Sequence, residues 1–198
     1  MSISHYSLGI ACLVLATCGW ACAEAPDDAT VLMGALKVEE GNLEKRPGNP
    51  DSLLQDGARV ANCTYKEDTA ARADTRLDIH FKLTSDEGNN KILGRATYAD
   101  SQRAARRALF GFLTSTTMPL GILIKTLDVS KNTFGDLCVT IKRYDPETKA
   151  VVPDDSRIYF VRGNIAISLR AIDGKLSVKD AAKAMDDLIV ARTAKGNE

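Results

Sequence analysis

The sequence has few of the residues that most enzymes use for chemistry. Only two of its 198 residues are histidine, and His80 is the one that remains once the leader described below is removed. A zinc site built on two histidines is therefore not expected, and a nucleophilic triad would have a single candidate base. His80 falls on the predicted solvent side of a strand, where we expect an ordinary surface histidine.

The motifs of common enzyme classes are also missing. The chain has no G-x-S-x-G or S-x-x-K motif, no phosphate-binding glycine loop, no G-x-G-x-x-G motif and, after the leader, no C-x-x-C pair. Carboxylates stand in adjacent pairs whose side chains diverge, so we expect them to be solvated: Glu39-Glu40, Asp154-Asp155 and Asp186-Asp187. We predict no catalytic residue, no cofactor and no metal ion.

A net charge is absent as well. The chain has 26 Lys and Arg residues and 26 Asp and Glu residues, with a pI near 6.7. Phosphate backbones are bound by concentrated positive charge, so nucleic acid is not expected as a partner.

Charged side chains are missing from residues 8 to 23, and Ala21 and Ala23 occupy the small-residue positions before a signal-peptidase cut. We predict a secretory signal peptide over residues 1–23 and an exported, periplasmic or secreted protein. The alternative is a lipobox that makes Cys18 the lipidated first residue of an outer-membrane lipoprotein. Membrane contact is expected only through that lipid or through the helix of residues 103–112.

Removal of the leader leaves two of the five cysteines, Cys63 and Cys138. In an oxidising compartment these two predict one disulfide, worth about 4 kcal/mol because it closes a long loop. The alternative is a pair of buried free thiols.

Turn residues interrupt residues 24–57 too often for long elements, so we predict an extended lead-in there and a single domain over residues 58–198. Alternating apolar residues predict strands at 59–66, 76–83, 92–98 and 137–143. Gly163-Asn164 predicts a tight hairpin between strands at 157–161 and 165–171. Helices are predicted after Ser101 and after Ser177. The apolar run of residues 120–127 fits a buried strand or a short helix, of which we favour the helix.

This order, without strict alternation of strands and helices, indicates an α+β fold. We expect an antiparallel sheet of five or six strands, with two main helices packed on one face and the other face partly exposed to water.

The predicted export, the predicted disulfide and a compact core without catalytic machinery favour a non-catalytic bacterial envelope protein. We expect it to bind a macromolecule, such as another envelope or secreted protein, as an inhibitor, immunity or accessory protein. Two basic groups are candidate contacts, one on the first main helix and one around the hairpin: Arg103, Arg106 and Arg107, and Arg157, Arg162, Asn164 and Arg170.

Two alternatives stay open. One is a periplasmic small-ligand sensor or carrier whose pocket lies between the sheet and the helices, lined by Leu109, Phe112, Phe160 and Ile167. The other is a hydrolase that uses carboxylates distant in sequence.

Overall fold

An antiparallel sheet of eight strands forms the middle layer of the computed structural model, which describes residues 26–43, 54–129, 134–152, 154, 156–172 and 175–195. Its strand order is β1-β2-β3-β4-β10-β9-β6-β5. A separate two-stranded ribbon pairs β7 with β8. The strands are β1 Arg59–Val60, β2 Cys63–Ala73, β3 Arg76–Ser85, β4 Lys91–Ala99, β5 Leu127–Asp128, β6 Leu137–Ile141, β7 Arg143–Tyr144, β8 Val151–Val152, β9 Arg157–Arg162 and β10 Ile165–Ala171.

Helices cover both faces of this sheet. The first three, with a 3-10 turn at Val38–Glu40, pack on one face, and the fourth packs on the other. Each face has its own apolar cluster, so the molecule has three layers with the sheet in the centre. The helices are α1 Asp28–Ala35, α2 Gln102–Thr114, α3 Leu120–Thr126 and α4 Val178–Lys195.

Several local predictions are confirmed. In β3, Leu77, Ile79, Phe81 and Leu83 are buried, as the alternating pattern predicts. The hairpin between β9 and β10 turns through Gly163, whose φ of +55° is the positive value that a type II′ turn requires at that position.

The helix starts are confirmed too. The Ser101 hydroxyl caps α2 by accepting from the Ala104 amide at 3.3 Å, and the Ser177 hydroxyl accepts from the Asp180 amide at 3.1 Å. Residues 120–126 are helical, as expected.

The predicted sheet of five or six strands with two helices on one face is wrong, although the α+β class holds. The sheet has two strands more than six: the predicted strand 59–66 is broken by a turn at residues 61–62 into β1 and β2, and β5 has two residues and therefore no readable period. The helix placement fails because residues 158–161 of β9 are all buried, so both faces of that strand are covered. Such a run of consecutive apolar residues is typical of a strand that lies between two layers.

The predicted disulfide is not formed, and Cys63 and Cys138 are both buried thiols. Cys63 lies in β2 and Cys138 in β6, five interstrand spacings apart in the sheet. At about 4.8 Å per spacing the two strands are roughly 24 Å apart, and a disulfide needs Cα atoms within about 7 Å.

The predicted signal peptide and the alternative lipid site at Cys18 lie outside the described residues. Part of the lead-in is described, and it forms α1 and the 3-10 turn. Within the described chain, no helix has the length and apolar character that a membrane span needs.

Candidate functional site

Helix α2 covers only part of its sheet face. Beyond its C-terminal end, side chains from β4, β9 and β10 line an open pocket of about 340 Å³, which we call the arginine pocket. Its lining consists of Arg95, Phe112, Ser115, Thr116, Thr117, Arg157, Tyr159, Ser168 and Arg170. The set contains three guanidinium groups and five hydroxyl groups, and no carboxylate.

The strand register brings these side chains together. Arg170 of β10 lies directly opposite Arg157 of β9. In the neighbouring row, Ser168 of β10 pairs with Tyr159 on one side and with Arg95 of β4 on the other. Side chains at paired positions project from the same face of a sheet, so strands distant in sequence meet in one pocket.

Arg95 forms the floor of the pocket beneath the last turn of α2. Its guanidinium carbon lies 4.7 Å from the centre of the Phe112 ring, a cation–π distance, and its Nη2 lies 3.6 Å from Oδ1 of Asp78. The Nε atom of Arg95 is buried and has no hydrogen-bond partner among the described residues. Arg95 therefore still has a donor to offer.

Asp78 remains a carboxylate beside Arg95. Burial alone would raise its pKa, but hydrogen bonds from Arg76 and Thr97 and the nearby charges of Arg76 and Arg95 lower the pKa below its ordinary value of 3.8. Arg95 is thus partly neutralised within the chain.

Arg157 and Arg170 have no such partner. No ion pair joins either guanidinium to a carboxylate of the described chain. Like charges placed directly opposite each other destabilise a sheet, because the two side chains repel at close range. Within the pocket, the positive charges of Arg157 and Arg170 are therefore the least neutralised by carboxylates of the described chain.

The remaining polar groups of the pocket are neutral. Burial raises the pKa of Tyr159, although the positive charges of Arg157 and Arg170 act against the rise, so its hydroxyl stays protonated at neutral pH. The hydroxyls of Ser115 and Thr116 donate to the carbonyls of Phe112 and Leu113 at 2.8 and 2.9 Å. They satisfy groups that the end of α2 leaves open and keep their lone pairs for a ligand.

The hairpin residues predicted as partner contacts form hydrogen bonds and ion pairs within the molecule. Arg162 donates from Nε and Nη2 to the carboxylate of Asp186 on α4, at 2.7 and 2.6 Å, and its Nη1 lies 3.2 Å from Asp136. The amide of Gly163 donates to Asp136 at 2.6 Å. The side-chain amide of Asn164 donates to the carbonyl of Ala99 at 2.6 Å. Arg162 and Asn164 thus fix the hairpin, and partner binding through them stays a prediction.

The arginines of α2 hold the N-terminal segment. Arg103 donates to the carbonyls of Glu39 and Gly41, at 2.7 and 3.3 Å, and Arg106 donates to the carbonyl of Lys37 at 2.7 Å. Arg107 pairs with the Glu39 carboxylate at 3.1 Å and is largely exposed. A partner that used Arg103 or Arg106 would have to compete with these intrachain bonds.

Of the candidate contacts, Arg157 and Arg170 meet in the arginine pocket. Of the residues predicted to line a carrier's pocket, Phe112 lines the arginine pocket, whereas Leu109, Phe160 and Ile167 are fully buried core residues. Sequence reasoning missed Arg95, Tyr159 and Ser168. A charged residue inside the alternating β4 strand was the available signal for Arg95.

The adjacent carboxylates of α4 differ in their surroundings. Asp186 was expected to be solvated, but it is 4% exposed and bound to Arg162. Its neighbour Asp187 is exposed and pairs with Lys183. Within the described ranges no three His, Cys, Asp or Glu side chains form a group that could hold a metal ion, and His80 is exposed.

No protein-family model matches the chain, and no curated protein or solved structure matches it either. The pocket itself is therefore the basis for inferring a function.

Proposed function

We propose that this is a non-catalytic binding protein whose arginine pocket takes the carboxylate or phosphate group of a small ligand. The observation that supports the proposal is the Arg157–Arg170 pair, which lies directly opposite across two strands without a carboxylate of the described chain to neutralise it. An anion between the two guanidiniums would remove their repulsion and form charge-assisted hydrogen bonds with both.

The size and lining of the pocket suit a small organic anion. About 340 Å³ lies at the lower end of the range, roughly 300–1,000 Å³, found for small-molecule sites. The lining offers guanidinium donors and the tyrosine hydroxyl for an anionic group, and serine and threonine oxygens for hydroxyl groups of the same ligand.

The chemistry of the lining favours binding over turnover. It contains no carboxylate, histidine or cysteine, and the pKa of Tyr159 is raised, so no lining group is suited to take up a proton near neutral pH. Together with the predicted export, this supports a sensor or carrier in the bacterial envelope.

The test is thermal denaturation and calorimetric titration of the purified protein with phosphate, citrate and galacturonate at fixed ionic strength. We expect at least one anion to raise the melting temperature of the wild type. A ligand present at 100 times its Kd adds about 2.7 kcal/mol to the free energy of unfolding. Arg157→Gln and Arg170→Gln should abolish the ligand effect.

The same two variants also allow a prediction for the melting temperature of the ligand-free protein. Because each removes one member of a repelling pair, we expect their melting temperatures to equal or exceed that of the wild type, with a gain of up to about 1 kcal/mol in the free energy of unfolding. Lys179→Gln is the matched control, since Lys179 is exposed on α4, on the other face of the sheet. Equal anion effects in the wild type and the pocket variants would refute the proposal.

A further inference from the structure

The arginine pocket lies at one end of a longer row of positive side chains. The register pairs Lys66 of β2 with Lys82 of β3, Lys82 with Leu93 of β4, Leu93 with Arg170 of β10, and Arg170 with Arg157 of β9. We call this set the cationic row. It crosses five adjacent strands, and with about 4.8 Å between strands it is roughly 19 Å long.

The row is accessible within the described part of the chain. Lys66 and Arg170 are exposed, Leu93 is 38% exposed, and Lys82 and Arg157 are half-buried. Helix α2 packs against β4, β9 and β10, and no helix among the described residues covers the β2–β3 part of this face. A ligand held in the pocket could therefore continue along the sheet surface.

The row is also undercompensated. Lys82 pairs with Asp68 at 2.8 Å, and none of the other three cations has an ion pair with a carboxylate of the described residues. In the next row Arg95 lies beside His80, and Asp78 partly neutralises the charge of Arg95. In a chain whose formal net charge is zero, the cationic row is a local concentration of positive charge on one face.

We propose that the cationic row binds a linear acidic polysaccharide, with one of its carboxylates held in the arginine pocket. This inference rests on the proposed function and extends it from a single anionic group to a polymer. A chain with regularly repeated carboxylates is complementary in charge to a straight row of cations. The serine, threonine and tyrosine hydroxyls of the pocket can bind the hydroxyl groups of the same sugar.

Other polyanions fit the surface less well. Single-stranded nucleic acid is bound on aromatic side chains that stack with bases, and no residue of the row is aromatic. A membrane surface requires apolar side chains that enter the lipid, and Leu93 is the only apolar residue in the row.

The experiment is a titration of the purified protein with galacturonate and with oligogalacturonates of two to eight sugars, at two salt concentrations. We expect affinity to rise with length and to level off once the oligomer spans the row, with a total gain of about ten-fold or more. Affinity for the long oligomers should fall as salt is raised, because exposed ion pairs are screened.

Two variants separate the row from the pocket. Lys66→Gln removes the exposed cation farthest from the pocket, and we expect it to weaken binding of the octamer about two- to five-fold while leaving the monomer unchanged. Arg157→Gln should weaken both. Lys179→Gln, on the other face, should change neither.

The outcomes are distinguishable. If monomer and octamer bind equally well, or Lys66→Gln has no effect on the octamer, the polymer inference is wrong and the pocket proposal stands. Tighter binding of polyphosphate or of a single-stranded oligonucleotide of equal charge would also overturn the polysaccharide assignment. If no anion binds the wild type more tightly than Arg157→Gln, both proposals fail.

Discussion

At the scale of single residues, Asp186 connects three parts of the structure that are distant in sequence. Asp186 lies on α4. Its carboxylate accepts hydrogen bonds from Nε and Nη2 of Arg162, in the β9–β10 hairpin, and from the amide of Gly135 at 3.0 Å. We expect Asp186→Asn to lower the free energy of unfolding by about 2–3 kcal/mol, since the half-buried guanidinium of Arg162 loses the closer of its two counter-ions and keeps Asp136 at 3.2 Å. Thermal denaturation should show a drop of roughly 5–10 °C.

Asp187→Asn is the control one position along the helix. Asp187 is exposed and pairs with Lys183 at the surface, so its loss should change stability by less than about 0.5 kcal/mol. Equal effects of the two variants would contradict the role assigned to Asp186.

The same carboxylate predicts a loss of stability in acid. Burial alone would raise the pKa of Asp186, but bonds from Arg162 and the Gly135 amide lower it below the ordinary value of 3.8. A carboxyl whose folded-state pKa is lowered stabilises the fold above its unfolded value and loses that contribution as pH falls through the folded one. Below about pH 4 the stability difference between wild type and Asp186→Asn should therefore shrink, as denaturation at pH 7 and pH 3 would measure.

At the scale of elements, helix α2 has two roles that its sequence shows only in part. Its apolar stripe packs on the sheet as predicted, while its arginines on the side away from the sheet bind the backbone of the N-terminal segment. Arg106 is 8% exposed and donates to the carbonyl of Lys37, a residue in the left-handed conformation. This bond closes the turn between α1 and the 3-10 turn.

Arg106→Met should loosen this segment without unfolding the sheet. The methionine fills much of the same space but cannot bond to the Lys37 carbonyl, so we expect the amides of residues 28–40 to exchange about ten-fold faster. Hydrogen exchange with mass spectrometry measures this directly. Arg107→Gln is the control because Arg107 is exposed; similar exchange in both variants would show that the Arg106 bond does not hold the segment.

The sequence allowed prediction of elements whose signal is local. β3 was found because one of its faces is polar, and the β9–β10 hairpin because Gly163-Asn164 suits its turn. The arrangement of the elements could not be predicted in the same way. The placement of α4 opposite α2, and the meeting of Arg95 with Arg157, depend on the strand order β4-β10-β9, which arises from packing between segments about sixty residues apart.

At the scale of the whole molecule, each sheet face carries an apolar cluster, and the two cysteines belong to the cluster beneath α4. Cys63 and Cys138 are each 3% exposed, near opposite edges of the sheet. Burial raises the pKa of both thiols, that of Cys138 to about 11, with nearby carboxylates adding to the rise. The thiolate is the reactive form, so both groups should be inert in the folded protein.

We therefore expect the core, and not a covalent link, to hold the sheet together. A reductant should leave the melting temperature unchanged, and alkylation at pH 8 followed by peptide mass spectrometry should label Cys63 and Cys138 only after denaturation. Following the individual peptides keeps the result independent of the other three cysteines, Cys12, Cys18 and Cys22. A melting temperature that falls on reduction, with neither peptide alkylated in the unreduced denatured protein, would show a disulfide. Because the two strands are five spacings apart, that result would require a different strand order as well.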